Sequence, residues 1–384
     1  MEFKNLAPVV NELYKQTVGK EVDVTDLGAV TGAFKELADL KGVATLSAEM
    51  LDTIVKIEFV TRAFTSNAPN ILMDSEEFGS IYEKVSIDPL SWTENAARNL
   101  KDGVSYDPNV YKKPVIHTKI LNQLATMSLD TFSIPTYQLN HMLRSGADLN
   151  SFHAMLEQTI HNSFTIATDG LIMATIANMI GTTVANAFTD GTYTGKTSHR
   201  AVNLLYLYNQ RFNQTLTPDK MTSTPEFLRF ASYTIGAYCD RLKAPTKLFN
   251  VDGVVKFTPS DEQRLVLHTD FARAADVYLK SDTYHNELVA LPSYDSISHW
   301  QGVGTDFDFA NTSKINIKTA DKKTVELDGI LGVLFDRRAV GVTKYDYKIN
   351  SQFNPKGDFT NYFPKMDYGN FNDTSENFVV FYGK

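Results

Sequence analysis

What this sequence has little of narrows its function before anything it contains does. Cysteine occurs once in 384 residues, at Cys239. A single thiol excludes an intrachain disulfide and a cysteine-rich zinc module, and it reads as a half-buried helix residue of a reducing cytoplasm. Basic charge is in deficit: 37 Lys and Arg stand against 45 Asp and Glu, giving a net charge of -8 and a pI near 5.5. That balance argues against a protein whose main work is coating nucleic acid through phosphate contacts, while leaving room for a local basic strip. Long apolar runs are missing too. The longest, Leu171 to Ile180, contains Thr175 and Asn178 and falls short of the roughly twenty residues of a membrane span. Met1-Glu2-Phe3-Lys4-Asn5 has no basic region leading into an apolar stretch, so no secretory leader is expected. What remains is ordinary: 43% hydrophobic residues, enough for a normal core in two or three domains or one elaborate one.

Catalytic patterns come close and fail. Gly191-Thr192-Tyr193-Thr194-Gly195-Lys196-Thr197 places three residues between its glycines, where a phosphate-binding loop needs four so that successive N–H groups curl around the phosphates. It also follows a helical stretch rather than a buried strand, so it reads as a polar surface turn. His153 and His161 are eight apart on a helix, not the four apart that would set two metal ligands on one face. His141, His199, His268, His285 and His299 have no Cys or carboxylate at ligand spacing. Asp74, Glu76 and Glu77 lie in a polar stretch without the dry, rigid setting that tunes a carboxylate. No Gly-x-Ser-x-Gly elbow or dinucleotide fingerprint occurs. No catalytic, cofactor-binding or metal-ligating residue is expected.

Four textures follow one another along the chain. Residues 1–66 read as short helices, with Asp26 and Thr31 as N-caps, Phe34, Leu37 and Leu40 at helical spacing, and a further helix from Ser47 through Ile54, Val55 and Phe59. Residues 67–116 hold Pro69, Pro89, Pro108, Pro114, Gly79 and Gly103 among charges and the isolated aromatics Phe78, Tyr82, Trp92, Tyr106 and Tyr111. Such a stretch buries little and reads as a long, partly hairpin excursion, unusual in a compact domain unless it meets a partner. Strands at Val115 to Leu121 and Ser128 to Tyr137 precede a long helix over about 149–180, started by Asp148 or Asn150 and ended by Gly181. Its apolar stripe is predicted along Phe152, Leu156, Ile160, Phe164, Ala167, Leu171, Ala174 and Asn178. A second stripe through Ile166, Ile172, Met173, Ile176 and Ile180 makes the later half apolar nearly all round, so it should be clamped between other elements. Beyond residue 200 the pattern is mixed. It holds a helix from Thr224-Pro225 to about Leu242, a buried strand at Arg264 to His268, a short helix from Phe271 to Leu279, a buried strand at Ile330 to Phe335, and a last strand at Val379 to Tyr382.

That order of textures resembles the Hong Kong 97-type capsid fold of tailed-bacteriophage major capsid proteins, an α+β fold. Met127 to Pro135 with Leu139 to Arg144 looks like the approach to its peripheral domain. Leu334-Phe335-Asp336-Arg337-Arg338-Ala339-Val340-Gly341-Val342 resembles the strand returning there. The resemblance implies an N-terminal arm at 1–66 and an extended E-loop at 67–116. It implies a peripheral domain at 117–200 and 326–384, built on the spine helix of about 149–180, and an axial domain at 201–325. Leu204 to Gln214 departs from the pattern as a Tyr/Asn-rich insertion. The implied function is a major capsid protein assembling into hexamers and pentamers around packaged double-stranded DNA, enclosed without sequence specificity. The implied partners are itself, a scaffolding protein (the arm is too short for a fused one), a portal protein and decoration proteins, with no membrane and no cofactor. Assembly is expected in the host cytoplasm and residence in the virion. Phe78, Tyr82, Trp92, Tyr106 and Tyr111 are the candidate contacts between subunits, and no crosslinking Lys–Asn pair is identified. An encapsulin-like nanocompartment shell shares the fold, and an α+β enzyme with an unrecognised site is the rival of another class.

Deleting Ser75 to Asp107 is expected to leave a folded subunit that fails to close shells, judged by circular dichroism and negative-stain microscopy. An unfolded product would show that the excursion belongs partly to the body.

Overall fold

The computed structural model describes residues 14–18, 33, 35–37, 39–40, 62–73, 82–90, 101–105, 109, 111, 113–121, 123–135, 146–281, 292–301, 308–319 and 323–384. The chain forms two compact units, residues 1–62 with 145–158, and residues 63–144 with 159–384. In the first, residues 14–18 are helical, Ala33 and Leu37 are buried, and the Tyr14 hydroxyl donates to Glu36 at 2.8 Å. Leu40 is exposed. The predicted caps at Asp26 and Thr31, and the helix from Ser47, lie outside the described residues.

The long helix α1 runs Gly146–Ala187, 42 residues, past both predicted ends. Gly181 does not stop it. A Cβ there would meet Ile317 at 3.6 Å, an ordinary contact, and the turn beyond carries the buried Val184 and Ala185, with Phe188 buried just after the helix. Packing of that last turn outweighs the glycine's helix penalty of roughly 1 kcal/mol. The buried stripe also differs from the predicted one. Ile160, Phe164, Thr168, Ile172, Ile176, Ile180 and Val184 are buried, whereas Ala174 and Asn178 are exposed. Steps of four residues advance about 40° each, so this ridge winds through about 240° and the core wraps around the helix. The threonines caught inside are satisfied by their own helix: Thr168 and Thr175 donate to the carbonyls of Phe164 and Leu171 at 2.8 and 2.7 Å. By length and mean hydropathy the stretch Ser151–Ala187 passes a membrane-span criterion that the run of consecutive apolar residues did not reach. Its buried ridge in the protein core makes it a core helix.

Two larger sheets carry the second unit. One has β1 (Leu72–Met73), β4 (Gln123–Ser128), β5 (Phe132–Pro135), β12 (Val340–Lys344), β13 (Lys348–Asn354) and β14 (Phe359–Asn372). β14 is its axis. Its 14 residues pair antiparallel with β12 and β13, and also with β4 and β5. Of the strand predicted at Ser128 to Tyr137, Phe132–Pro135 forms; Gln123–Ser128 before it is a separate strand that the prediction lacked, and each adds to β14.

The other sheet has the order β6 (Ala201–Asn203), β15 (Phe378–Tyr382), β11 (Ile330–Asp336), β7 (Gln263–His268) and β8 (Asp295–Ile297). Every residue of β11 and β15 is buried, as continuous apolar runs require when both faces are covered. Val333, Phe335, Phe378 and Val380 share a cluster with Ile172, Ile176 and Val184 of α1. Their alternates Leu334, Val379 and Phe381 pack with α2 (Leu204–Phe212), α3 (Pro225–Arg241) and α4 (Thr269–Ser281). The sheet thus lies between helices on both sides. Glycine is needed at 332, where a Cβ would lie 2.5 Å from Leu267 Cδ2 and 2.9 Å from the Val266 carbonyl oxygen. The supposed insertion at Leu204 to Gln214 is α2 itself, with Leu204, Leu205 and Tyr208 buried. Asn203 caps it by accepting from the Tyr206 N–H at 3.0 Å, and Asn213 closes it at φ 50°.

Two turns join the sheets. Asp336 to Ala339 takes β11 into β12, and Asp373 to Asn377 takes β14 into β15. They bond to each other: the Asp373 N–H donates to the Ala339 carbonyl at 2.8 Å, and the Asp336 N–H to that of Asn377 at 3.0 Å. Asp336 is buried and accepts from Thr258 Oγ1 at 2.8 Å and the Arg338 N–H at 2.9 Å. Burial nevertheless holds its carboxyl above the ordinary range.

The face assignment of α1 is open to test by chemical denaturation. Ile176→Ala should cost about 2–5 kcal/mol through a core cavity, while Asn178→Ala, two residues away on the open face, should change stability by less than about 0.5 kcal/mol.

Candidate intersubunit contact site

The alternation Glu83-Lys84-Val85-Ser86-Ile87 opposite Ile116-His117-Thr118-Lys119-Ile120 has the period of a two-faced ribbon. The structure forms it as a hairpin of β2 (Tyr82–Ile87) and β3 (Ile116–Leu121), with Lys84 opposite Lys119 and Ile87 opposite Ile116. Residues directly opposite share a face. One face therefore carries Lys84, Lys119, Ser86 and His117, and the other carries Val85, Ile87, Ile116 and Ile120 with Glu83 and Thr118.

The usual arrangement is inverted, because the charged face is the one turned to the body. Lys84 Nζ lies 2.8 Å from Asp373 and 2.5 Å from Glu376. Lys119 Nζ lies 2.8 Å from Asp252, 3.3 Å from Asp373 and 2.5 Å from Thr374 Oγ1, and Lys256 reaches Glu376 at 3.2 Å. The Asp373 side chain is fully enclosed, and the Ser375 N–H and hydroxyl also donate to it, at 2.9 and 2.6 Å. Apart from Asp252, the acceptors sit on the turn from Asp373 to Asn377 that joins the two sheets. His117 adds a contact to Asp88 at 3.1 Å. A cleft of about 420 Å³ remains between the hairpin and residues 247–254, so ion pairs rather than close apolar packing hold the ribbon.

Burial works against both partners of the central pair, and the pair overcomes it. For Asp373, burial pushes the carboxyl up, but hydrogen bonds from Lys84 and Ser375 and the Lys84 charge bring it below its ordinary value. For Lys84, burial pushes the ammonium down, and Glu376 and Asp373 together lift it above its ordinary value.

The other face is left open. Val85, Ile87, Ile116 and Ile120 are 60%, 59%, 50% and 68% exposed, and Leu90 and Val115, close to the strand ends, are exposed as well. Covering each such side chain fully contributes about 1.5–3 kcal/mol, so roughly half of that is available at each of the four. A contiguous apolar face rimmed by polar residues is the surface signature of an interaction site.

Of the aromatics predicted as contacts, Tyr111 is 84% exposed and Tyr82 stands in β2 opposite Leu121, its side chain outside the described residues. Phe78, Trp92 and Tyr106 lie outside the described residues, as do Asp74, Glu76 and Glu77. The aliphatic face of the ribbon was readable from its period-two alternation. Its ion partners, 289 residues away in sequence for Lys84 and Asp373, were not. The excursion also begins later than residue 67: Ile71 is in the main core, and Leu72–Met73 pairs with β12. Among the described residues no group of His, Cys, Asp and Glu could hold a metal ion. Cys239 is half-buried, and burial pushes its thiol up to about 11.

Comparison with known proteins places this architecture. The family profile for Phi29-like phage major capsid protein matches residues 6–382. The chain is similar to one from the capsid structure of Staphylococcus phage Andhra, with a TM-score of 0.55 at 8% identity, covering 86% of this chain and 87% of that one. It is similar in the same measure to one from the structure of the head fibre and inner core protein gp22 of native bacteriophage P68, with a TM-score of 0.54, 8% identity and coverage of 86% and 87%. No match is found among curated protein sequences.

Removing Lys84 takes one of two lysine partners from each of two enclosed carboxylates. Lys84→Ala should cost about 2–3 kcal/mol, less than the roughly 3–5 of a fully isolated buried pair because Lys119 still faces Asp373. The deletion of Ser75 to Asp107 removes Lys84 as well and should destabilise the body. The pH dependence has a definite sign. The contribution of Asp373 is present at neutral pH and is lost as pH falls below its ordinary 3.8, and that of Lys84 persists until pH rises past its ordinary 10.5. Denaturation midpoints of wild type and Lys84→Ala should therefore converge as the acid range is descended, and a gap that stays constant throughout it would contradict the assignment.

Proposed function

The chain belongs to the Phi29-like phage major capsid protein family, and from that premise we propose how this shell protein meets its neighbours. It is a structural protein of a phage virion with the α+β Hong Kong 97-type capsid fold, and it assembles into capsid shells. The observation that carries the proposal is the inverted hairpin. An apolar face held outward by ion pairs at its back has no use within the subunit, and it gains stability when a second copy covers it.

In this reading the excursion that includes β2 and β3 is the E-loop, laid across an adjacent copy. The exposed Tyr111, together with Phe78, Tyr82, Trp92 and Tyr106 as candidates from the sequence, adds further contacts from the excursion in this reading. α1 is the spine helix of a peripheral domain, with residues 117–200 and 326–384 around it. Residues 201–325 form the axial domain and 1–66 the arm. Many weak repeated contacts closed by symmetry give pentamers and hexamers of an icosahedral shell. A separate scaffolding protein, a portal, packaged double-stranded DNA and decoration proteins are the further partners, assembly takes place in the host cytoplasm, and the subunit has no catalytic role. No observation favours the nanocompartment or enzyme reading.

Val85→Asp with Ile120→Asp tests the proposal. Both side chains face outward, so the subunit should keep its circular dichroism spectrum and melting behaviour while losing closed shells in negative-stain micrographs. Normal shells from this variant would refute the hairpin's role, and unfolding would mean that the face is covered within the subunit.

A further inference from the structure

The acidic balance of this chain conceals one cationic cleft. It lies between α2, α3 and the segment 195–199, with a volume of about 1170 Å³. Lys196, His199, Arg211 and Arg241 line it, together with neutral donors such as Thr197, Ser198, Gln210 and Tyr233. Among the described residues no Asp or Glu side chain lines it. The nearest counter-charge in contact is Asp190, which pairs with Lys196. Neither Arg211 nor Arg241 is in an ion pair among the described residues, in a chain with eight more acidic than basic groups.

The two guanidiniums are also held in place. Arg211 lies over the rings of Phe212 and Phe230 at 5.8 and 5.9 Å, and Arg241 lies over Tyr238 at 5.0 Å. A ring beneath a guanidinium fixes its plane; Arg241 also hydrogen-bonds the Tyr238 hydroxyl, and the remaining N–H groups can donate to an oxyanion. The motif dismissed as a phosphate-binding loop supplies one wall through Gly195, Lys196 and Thr197. It lacks the geometry to wrap a nucleotide, yet it presents a lysine beside hydroxyls.

We propose that this cleft binds the phosphodiester backbone of nucleic acid. Backbone contacts are made by Arg and Lys together with Ser, Thr, Gln and Tyr side chains, and that is the composition of this lining. A single peptide carboxylate would engage one or two of these cations, whereas a phosphodiester chain carries a negative charge at every nucleotide and can meet Lys196, Arg211 and Arg241 in turn. The contact is independent of sequence and small, two or three phosphates, so it tethers nucleic acid locally without turning an acidic protein into a coating one.

Fluorescence anisotropy of the full chain with a labelled duplex and a labelled single strand of about thirty nucleotides tests it. Two to three neutralised phosphates predict that affinity falls by about 10- to 40-fold between 50 and 200 mM salt. Arg211→Gln with Arg241→Gln should weaken binding at least tenfold and flatten the salt dependence, while Arg211→Lys with Arg241→Lys retains most of both. Lys196→Gln, on an exposed turn, supplies a second reading should the paired glutamine variant not fold. Absence of binding to either probe at 50 mM salt, or unchanged binding by the variants, would overturn the proposal. So would tighter binding of polyglutamate through the same residues, which would assign the cleft to protein carboxylates. Shell formation by the glutamine variant, read by microscopy in the same preparations, reports separately on the lattice reading, and closed shells with lost DNA binding support the cleft.

Discussion

Two polar turns set side by side support the rest of this subunit. Asp336 to Ala339 and Asp373 to Asn377 each carry the chain from one sheet to the other, and main-chain hydrogen bonds tie them together. Because both crossovers pass through one place, the sheets cannot shift independently there. The cost is enclosed carboxylate at Asp336, Asp373 and Glu376. Thr258 and the Arg338 N–H serve the first, and lysines from distant segments serve the other two. A buried charge with a well-placed partner is tolerable, and one without is strongly destabilising. The turn between β14 and β15 therefore demands the hairpin.

That demand explains an arrangement that amphipathic patterning alone would reverse. A free two-stranded ribbon normally turns its apolar side to the nearest core. Here Lys84 and Lys119 are claimed by Asp373, Glu376 and Asp252, so Val85, Ile87, Ile116 and Ile120 are directed outward. Electrostatic anchoring at the back of the ribbon and apolar exposure at its front are one constraint seen from two sides. For a shell subunit the arrangement is useful, since the anchor orients the surface before a neighbour arrives and reduces the ordering cost of association.

The charge distribution follows a similar economy. The chain is acidic on average, yet Arg211 and Arg241, in no ion pair among the described residues, lie over the rings of Phe212, Phe230 and Tyr238 between α2 and α3. A mean charge describes solubility and long-range repulsion, while local contacts depend on a few fixed groups. The two need not agree in sign.

Local pattern was sufficient where neighbours in sequence are also neighbours in space. The 3.6-residue period made α1 and α3 legible, continuous β-branched and aromatic runs marked β7, β11 and β15, and absent motifs removed the common chemistries. It failed where burial comes from elsewhere. β14 mixes Tyr, Asn, Pro and Gly with no clean alternation, because each of its edges takes two different partners and the demand on a face changes along its length. The ends and buried ridge of α1 were set by the core wound around it, not by Gly181. Composition and spacing thus marked the presence of an outlying, partly hairpin excursion, and the family resemblance of the order of textures implied the class of fold. Only the tertiary structure decided which face of that hairpin turns outward, because its ion partners lie hundreds of residues along the chain and no local period encodes a contact at that distance.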